Sequence, residues 1–79
     1  MPESMFEWLR DRLAAILHLD PSEIQPTSRF AEDLDANSID LIEACNGAEA
    51  EFGVVVEDHV LYDLETVGQL VDVLERLRS

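Results

Sequence analysis

Four carboxylates, a carboxamide and a hydroxyl fall within eleven residues in Asp33-Leu34-Asp35-Ala36-Asn37-Ser38-Ile39-Asp40-Leu41-Ile42-Glu43. Two kinds of chemistry follow from these types at this spacing. The plainest is local: Asn37 or Ser38 caps a helix, and the acids of its first turn face the positive end of the helix dipole. The second is oxygen coordination of a cation, since Asp33, Asp35 and Asn37 occupy positions one, three and five of a calcium-binding loop. That pattern breaks further on. Ser38 stands where the sharp turn needs Gly, Asp40 where an aliphatic belongs, and Ala44 where a bidentate Glu should close the loop. No metal site is expected. Catalysis by the serine is not expected either, because its hydroxyl is a poor nucleophile without a base, and His18 and His59 fall on other predicted elements.

The chain around this segment has 79 residues with 18 Asp and Glu against 5 basic residues, a formal charge of −13. It predicts a single small domain spanning residues 1–79, too apolar at 47% hydrophobic to be a disordered acidic tail. The basic residues are Arg10, Arg12, Arg29, Arg76 and Arg78, and the stretch from Phe30 through Glu75 holds thirteen carboxylates and no Arg or Lys. Nucleic acid and anionic membrane surfaces are thereby disfavoured, and a partner protein with a basic patch is favoured. Self-repulsion favours a monomer. Cys45 is alone, which excludes an internal disulfide and a zinc framework and fits a reducing compartment. The N-terminus lacks a basic region, and the longest apolar run is only residues 13–17, so neither a signal nor a membrane span is expected and the protein is read as cytoplasmic.

The positioning elements are helical. Ser4 and Glu7 form a capping box, with Phe6, Leu9, Leu13 and Ile16 on one face, which predicts a helix over residues 5–18 ended by Asp20-Pro21. Residues 21–37 read as a long loop with at most one short turn, pinned by Ile24, Phe30 and Leu34. A second helix is predicted over 38–52, with Leu41 or Ile42, Cys45, Ala48 and Phe52 inward and Gly53 as its stop. Residues 54–56 form an extended linker, 57–62 a short helical turn, and Thr66 with Gln69 a capping box for a last helix lined by Val67, Leu70, Val71, Leu74 and Leu77.

Taken together, Asp35-Ala36-Asn37-Ser38-Ile39-Asp40-Leu41-Ile42-Glu43 resembles the phosphopantetheine attachment motif of acyl carrier proteins. Phe30-Ala31-Glu32-Asp33-Leu34 is similar to that family's Phe-x-Glu-Asp-Leu lead-in, Glu51-Phe52-Gly53 to the end of its second helix, and Thr66-Val67 to the start of its last. The resemblance implies an all-α fold, a small four-helix bundle of three longer helices and one short one. It implies a carrier rather than an enzyme. A phosphopantetheinyl transferase would move a 4′-phosphopantetheine arm from coenzyme A onto Ser38, and the arm's thiol would carry acyl groups as thioesters in fatty-acid, polyketide or related biosynthesis. It also assigns partner binding, by acyl-processing enzymes with basic docking patches, to Asp40, Glu43, Glu49, Glu51, Glu57 and Asp58, with Ile39 and Ile42 as apolar contacts.

Three positions depart from the family pattern: Asn37 replaces the usual aspartate, Ile39 replaces leucine, and Asn46 stands where an exposed apolar residue is common. Asn37 keeps a second reading open, a carrier-like acidic module that binds a basic partner and is never acylated. Helix two is lean, with Ala44, Cys45, Gly47 and Ala48 where larger aliphatics are common, so either neighbours such as Phe6 or Trp8 fill the space or the interior opens for an acyl chain. Cys45, on the apolar stripe with no cation nearby, reads as a buried small hydrophobe. His18 reads as a helix C-terminal residue favoured by the dipole, and His59 as a surface residue of the short turn.

Overall fold

The computed structural model describes residues 4–78. Among these, four α-helices occur, α1 (Met5–Leu17), α2 (Ser38–Phe52), α3 (Asp58–Tyr62) and α4 (Val67–Arg78), with a 3-10 turn over Pro21–Glu23. Local chemistry sets the boundaries. The Glu7 N–H donates to the Ser4 hydroxyl at 3.1 Å and the Ser4 N–H to the Glu7 carboxylate at 3.3 Å, closing the capping box of α1. That helix ends one residue earlier than its pattern predicts. His18 takes the left-handed conformation at φ 58° and its N–H bonds back to the Ala14 carbonyl, satisfying an orphan acceptor of the last turn. Gly53 does the same for α2 at φ 68°, where the absence of a Cβ removes the steric cost. Thr66 and Gln69 exchange side-chain bonds to each other's N–H at the start of α4.

Leu9, Leu13, Ala44, Ala48, Val67 and Leu70 are fully shielded, and Phe6 and Ile16 only flank this core. The ring of Trp8, early in α1, meets that of Phe52, late in α2, edge-to-face at 4.9 Å, so the two helices run against each other. Arg78 at the end of α4 lies over the same Phe52 ring, while α4 itself packs along α1. The loop expected over 21–37 is more ordered than its sequence predicts. Ile24, Phe30 and Leu34 are buried as expected, and the backbone around Arg29 forms an isolated antiparallel bridge with Thr66. The Phe30 N–H donates to Glu65 O at 2.9 Å and the Gly68 N–H to Pro26 O at 2.8 Å. A Cβ at Gly68 would lie 3.0 Å from that Pro26 oxygen, so glycine permits the close approach. The start of α4 and the segment leading into α2 are thereby tied together.

Ala44, Cys45 and Ala48 of the lean α2 lie in the core, and the space at Gly47 is filled by a neighbour that composition alone does not indicate. The Arg12 guanidinium occupies the space over Gly47, within 2.5 Å of where a Cβ would be, and stacks on Trp8 at 5.5 Å. Phe6 instead lies under Arg10. Of the two candidate inward residues, Leu41 is buried and Ile42 is 43% exposed. The expected apolar stripe of α4 fails at Leu77, also 43% exposed, because the stripe runs out at the end of the bundle, where Arg78 covers Phe52. No helix among the described residues is long and apolar enough to cross a membrane.

Cys45 is buried, and burial pushes its thiol up to about 11, the negative charge of Glu49 adding in the same direction. An unfolded thiol ionises near its ordinary value while the folded one resists, so above pH 9 the unfolded chain binds fewer protons. This contribution to stability is complete below pH 9 and is lost as pH rises toward 11. Urea midpoints at pH 8 and pH 10.5 are expected to fall in the wild type and to fall less in Cys45→Ala; equal slopes would contradict a shielded thiol.

Candidate functional site

Asn37, not Ser38, caps α2. The Asp40 N–H donates to Asn37 Oδ1 at 3.0 Å and the Asn37 N–H to the Asp40 carboxylate at 3.1 Å, a reciprocal box. Asparagine thus supplies the acceptor that an aspartate would have supplied. Ser38 is the first helical residue, exposed, and its hydroxyl makes no hydrogen bond among the described residues. The amides of Ser38 and Ile39, first and second in the helix, have no acceptor among the described residues either. The lead-in is braced by the Arg29 carbonyl, which accepts from Asp33 and Leu34 N–H, and by the Phe30 carbonyl, which accepts from Ala36 N–H at 2.7 Å. Asp35 sits left-handed at φ 53°, the reversal that turns the chain into α2.

Two of the three side chains of the supposed calcium pattern, those of Asp33 and Asn37, are spent elsewhere. The Asp33 carboxylate accepts the Arg29 N–H at 2.8 Å, which with the nearby guanidinium holds its carboxyl below the ordinary value, while Asn37 Oδ1 is the helix cap. Among the described residues no group of three or more His, Cys, Asp or Glu is placed to hold a metal ion.

Ser38 opens onto two clefts. A larger one of about 550 Å³ lies between the lead-in and the chain around α3, its walls including Arg29, Phe30, Asn37, Leu41, Leu61 and Tyr62. A smaller one of about 160 Å³ runs between α2 and α3, lined by Ser38, Leu41, Ile42, Asp58, Leu61 and Tyr62. Neither His18 nor His59 lines them; His59 pairs with Glu57 at 3.2 Å. An exposed hydroxyl at a helix entrance, two open amides and an adjoining apolar-walled cleft are what a phosphate-linked arm attached there would need. Arg29, Leu61 and Tyr62 escaped the sequence reading, because nothing local marks residues brought beside Ser38 by the path of the chain. Tyr62, 84% exposed, carried the only hint, a large aromatic left outside any apolar stripe.

The expected docking residues divide. Ile39 at 64% and Ile42 at 43% exposure flank Ser38, and Glu43, Glu51, Glu57 and Asp58 are exposed. Asp40 is half-buried and contributes to the cap. Glu49 is half-buried too, and its carboxylate accepts the Val56 N–H at 2.8 Å, so it also holds the linker between α2 and α3 in place.

Comparison with known proteins agrees with this arrangement. Residues 7–74 match the family model described as a phosphopantetheine attachment site. An acyl carrier protein of Petrotoga mobilis is 33% identical over 72 residues, covering 91% of this chain and 85% of that protein. The match indicates a covalently attached 4′-phosphopantetheine group, which the surroundings of Ser38 fit, and a carrier rather than an enzyme. With the family model spanning nearly the whole helical bundle, the chain belongs to the acyl carrier proteins.

Proposed function

We propose that the chain carries acyl groups as thioesters on an arm joined to Ser38 Oγ, in fatty-acid, polyketide or related biosynthesis, as a cytoplasmic monomeric domain. The observation that carries this reading is the unspent hydroxyl of Ser38: Asn37 does the capping, so Ser38 Oγ is exposed and free to form the ester bond. The chain brings the hydroxyl, the open amides and the cleft, and a phosphopantetheinyl transferase brings the base. When bound, the arm supplies a terminal thiol on a long tether, which raises the effective concentration of cargo wherever the carrier docks. Incubation with coenzyme A and a broad-specificity transferase is expected to add one phosphopantetheinyl group by intact mass. No addition, or protein from its own host that is unmodified throughout, would favour the acidic module that is never acylated.

Docking in this reading uses Asp40, Glu43, Glu49, Glu51, Glu57 and Asp58 around Ile39 and Ile42, facing basic patches on the transferase and on acyl-processing enzymes. Exposed charges are screened over about 10 Å at 0.1 M salt. The association rate with a transferase is therefore expected to fall about tenfold or more between low and physiological salt, read by stopped-flow fluorescence. A rate indifferent to salt would contradict an electrostatic face.

A further inference from the structure

Arginine is distributed unevenly over this bundle. Arg10 and Arg12 stack on Phe6 and Trp8, Arg78 stacks on Phe52, and Arg76 shares the last turn of α4, all toward the end where α2 and α4 finish. Arg29 alone stands in the lead-in to α2, on the wall of the larger cleft that Ser38, Asn37 and Tyr62 also line. Its guanidinium is shared between Glu32 and Asp33, the latter at 3.4 Å, and all three side chains are about half exposed. Exposed pairs of this kind contribute little, because water and salt screen them, so the guanidinium exchanges partners at little cost.

We propose that Arg29 is a positioning residue for the arm: its guanidinium turns from Glu32 to the arm's phosphodiester and lays the first part of the arm in the cleft against Leu61 and Tyr62. This rests on attachment at Ser38. A phosphodiester keeps one negative charge at every ordinary pH, and the planar guanidinium fork matches two of its oxygens where a carboxylate is the competitor. The phosphodiester is tethered on the same cleft, so its effective concentration is on the order of millimolar and even a weak pair is populated. Phe30, Leu41 and Leu61 give the wall its apolar character, suited to the methyl groups that follow the phosphate along the arm. Substitution of the side chain leaves the fold's use of Arg29 intact, since the turn is held by its backbone N–H and carbonyl.

The test uses the protein loaded with coenzyme A and transferase, with attachment at Ser38 checked by peptide mass. The expected wild-type result is a set of nuclear Overhauser contacts from the arm's geminal methyls to Leu61 and Tyr62, and a phosphorus-31 resonance displaced from that of the urea-unfolded loaded protein. Arg29→Gln is expected to lose the contacts and return the resonance to the unfolded position, and Arg29→Lys to restore part of both. Glu32→Gln, which removes the competing carboxylate, is expected to strengthen them, and Arg78→Gln to change neither. Loaded protein whose contacts and resonance are the same with and without Arg29 would overturn this proposal alone. Protein that does not load, or loads elsewhere, would overturn the assignment of Ser38 and this proposal with it.

Discussion

Ser38→Ala is expected to stop loading of the arm completely while leaving the fold as stable as the wild type. The hydroxyl that would be lost caps nothing and bonds to nothing among the described residues, and alanine is at home in the first turn of a helix. The change in unfolding free energy should stay within about 0.5 kcal/mol, the usual range for a surface exchange away from special features. The other described serines make poor substitutes. Ser4 Oγ accepts the Glu7 N–H, and Ser28 is buried with its hydroxyl accepting the Gln25 N–H at 2.9 Å. Ser22 is exposed but belongs to the three-residue turn over Pro21–Glu23, so Ser22→Ala should load as the wild type does. Intact mass after incubation with coenzyme A and transferase, beside a thermal melt of each variant, reads both halves of the expectation. Loading of a well-folded Ser38→Ala protein would end the assignment.

Leu70→Ala is expected to be the most damaging of simple core truncations on α4, costing about 2–5 kcal/mol. Leu70 is 0% exposed and sits one turn into the helix, beside the point where the lead-in is tied to the start of α4. A domain of this size has roughly 4–12 kcal/mol in total, at about 0.05–0.15 kcal/mol per residue, so one truncation removes a large share. Leu77→Ala, seven residues on and 43% exposed, is expected to cost well under half as much. Urea unfolding followed by circular dichroism at a fixed salt concentration separates the two. Equal losses would mean that the last turn of α4 is packed as tightly as the first.

Much of this architecture is written locally. Ser4 with Glu7 and Thr66 with Gln69 mark helix starts through side chains that bond backbone groups three residues away, and Gly53 marks a helix stop through its backbone freedom, all within a few residues of sequence. The spacing of Leu9 and Leu13, or of Val67, Leu70 and Leu74, identifies inward faces for the same reason. What stayed hidden depends on the return of the chain from a distance. The bridge between Arg29 and Thr66, the Phe30 N–H on the Glu65 carbonyl and the Glu49 carboxylate on the Val56 N–H join positions whose residue types carry no mark of the pairing. Arg12 over Gly47 is of this kind, a long charged side chain filling the gap that a missing side chain leaves on the neighbouring helix. At the candidate site, Ser38 and its flanking Ile39 and Ile42 could be read from the motif. The choice of Asn37 as cap, and the presence of Arg29 and Tyr62 around the cleft, needed coordinates because they depend on how the lead-in and α3 fold back beside α2.

The most direct measurement is the position of the arm. After loading from coenzyme A, digestion and fragmentation of the peptide that contains the start of α2 should place the phosphopantetheinyl group on Ser38 and leave every other peptide at its unmodified mass. An arm found on another residue, or a chain that stays bare while a control carrier in the same tube is loaded, would contradict the account.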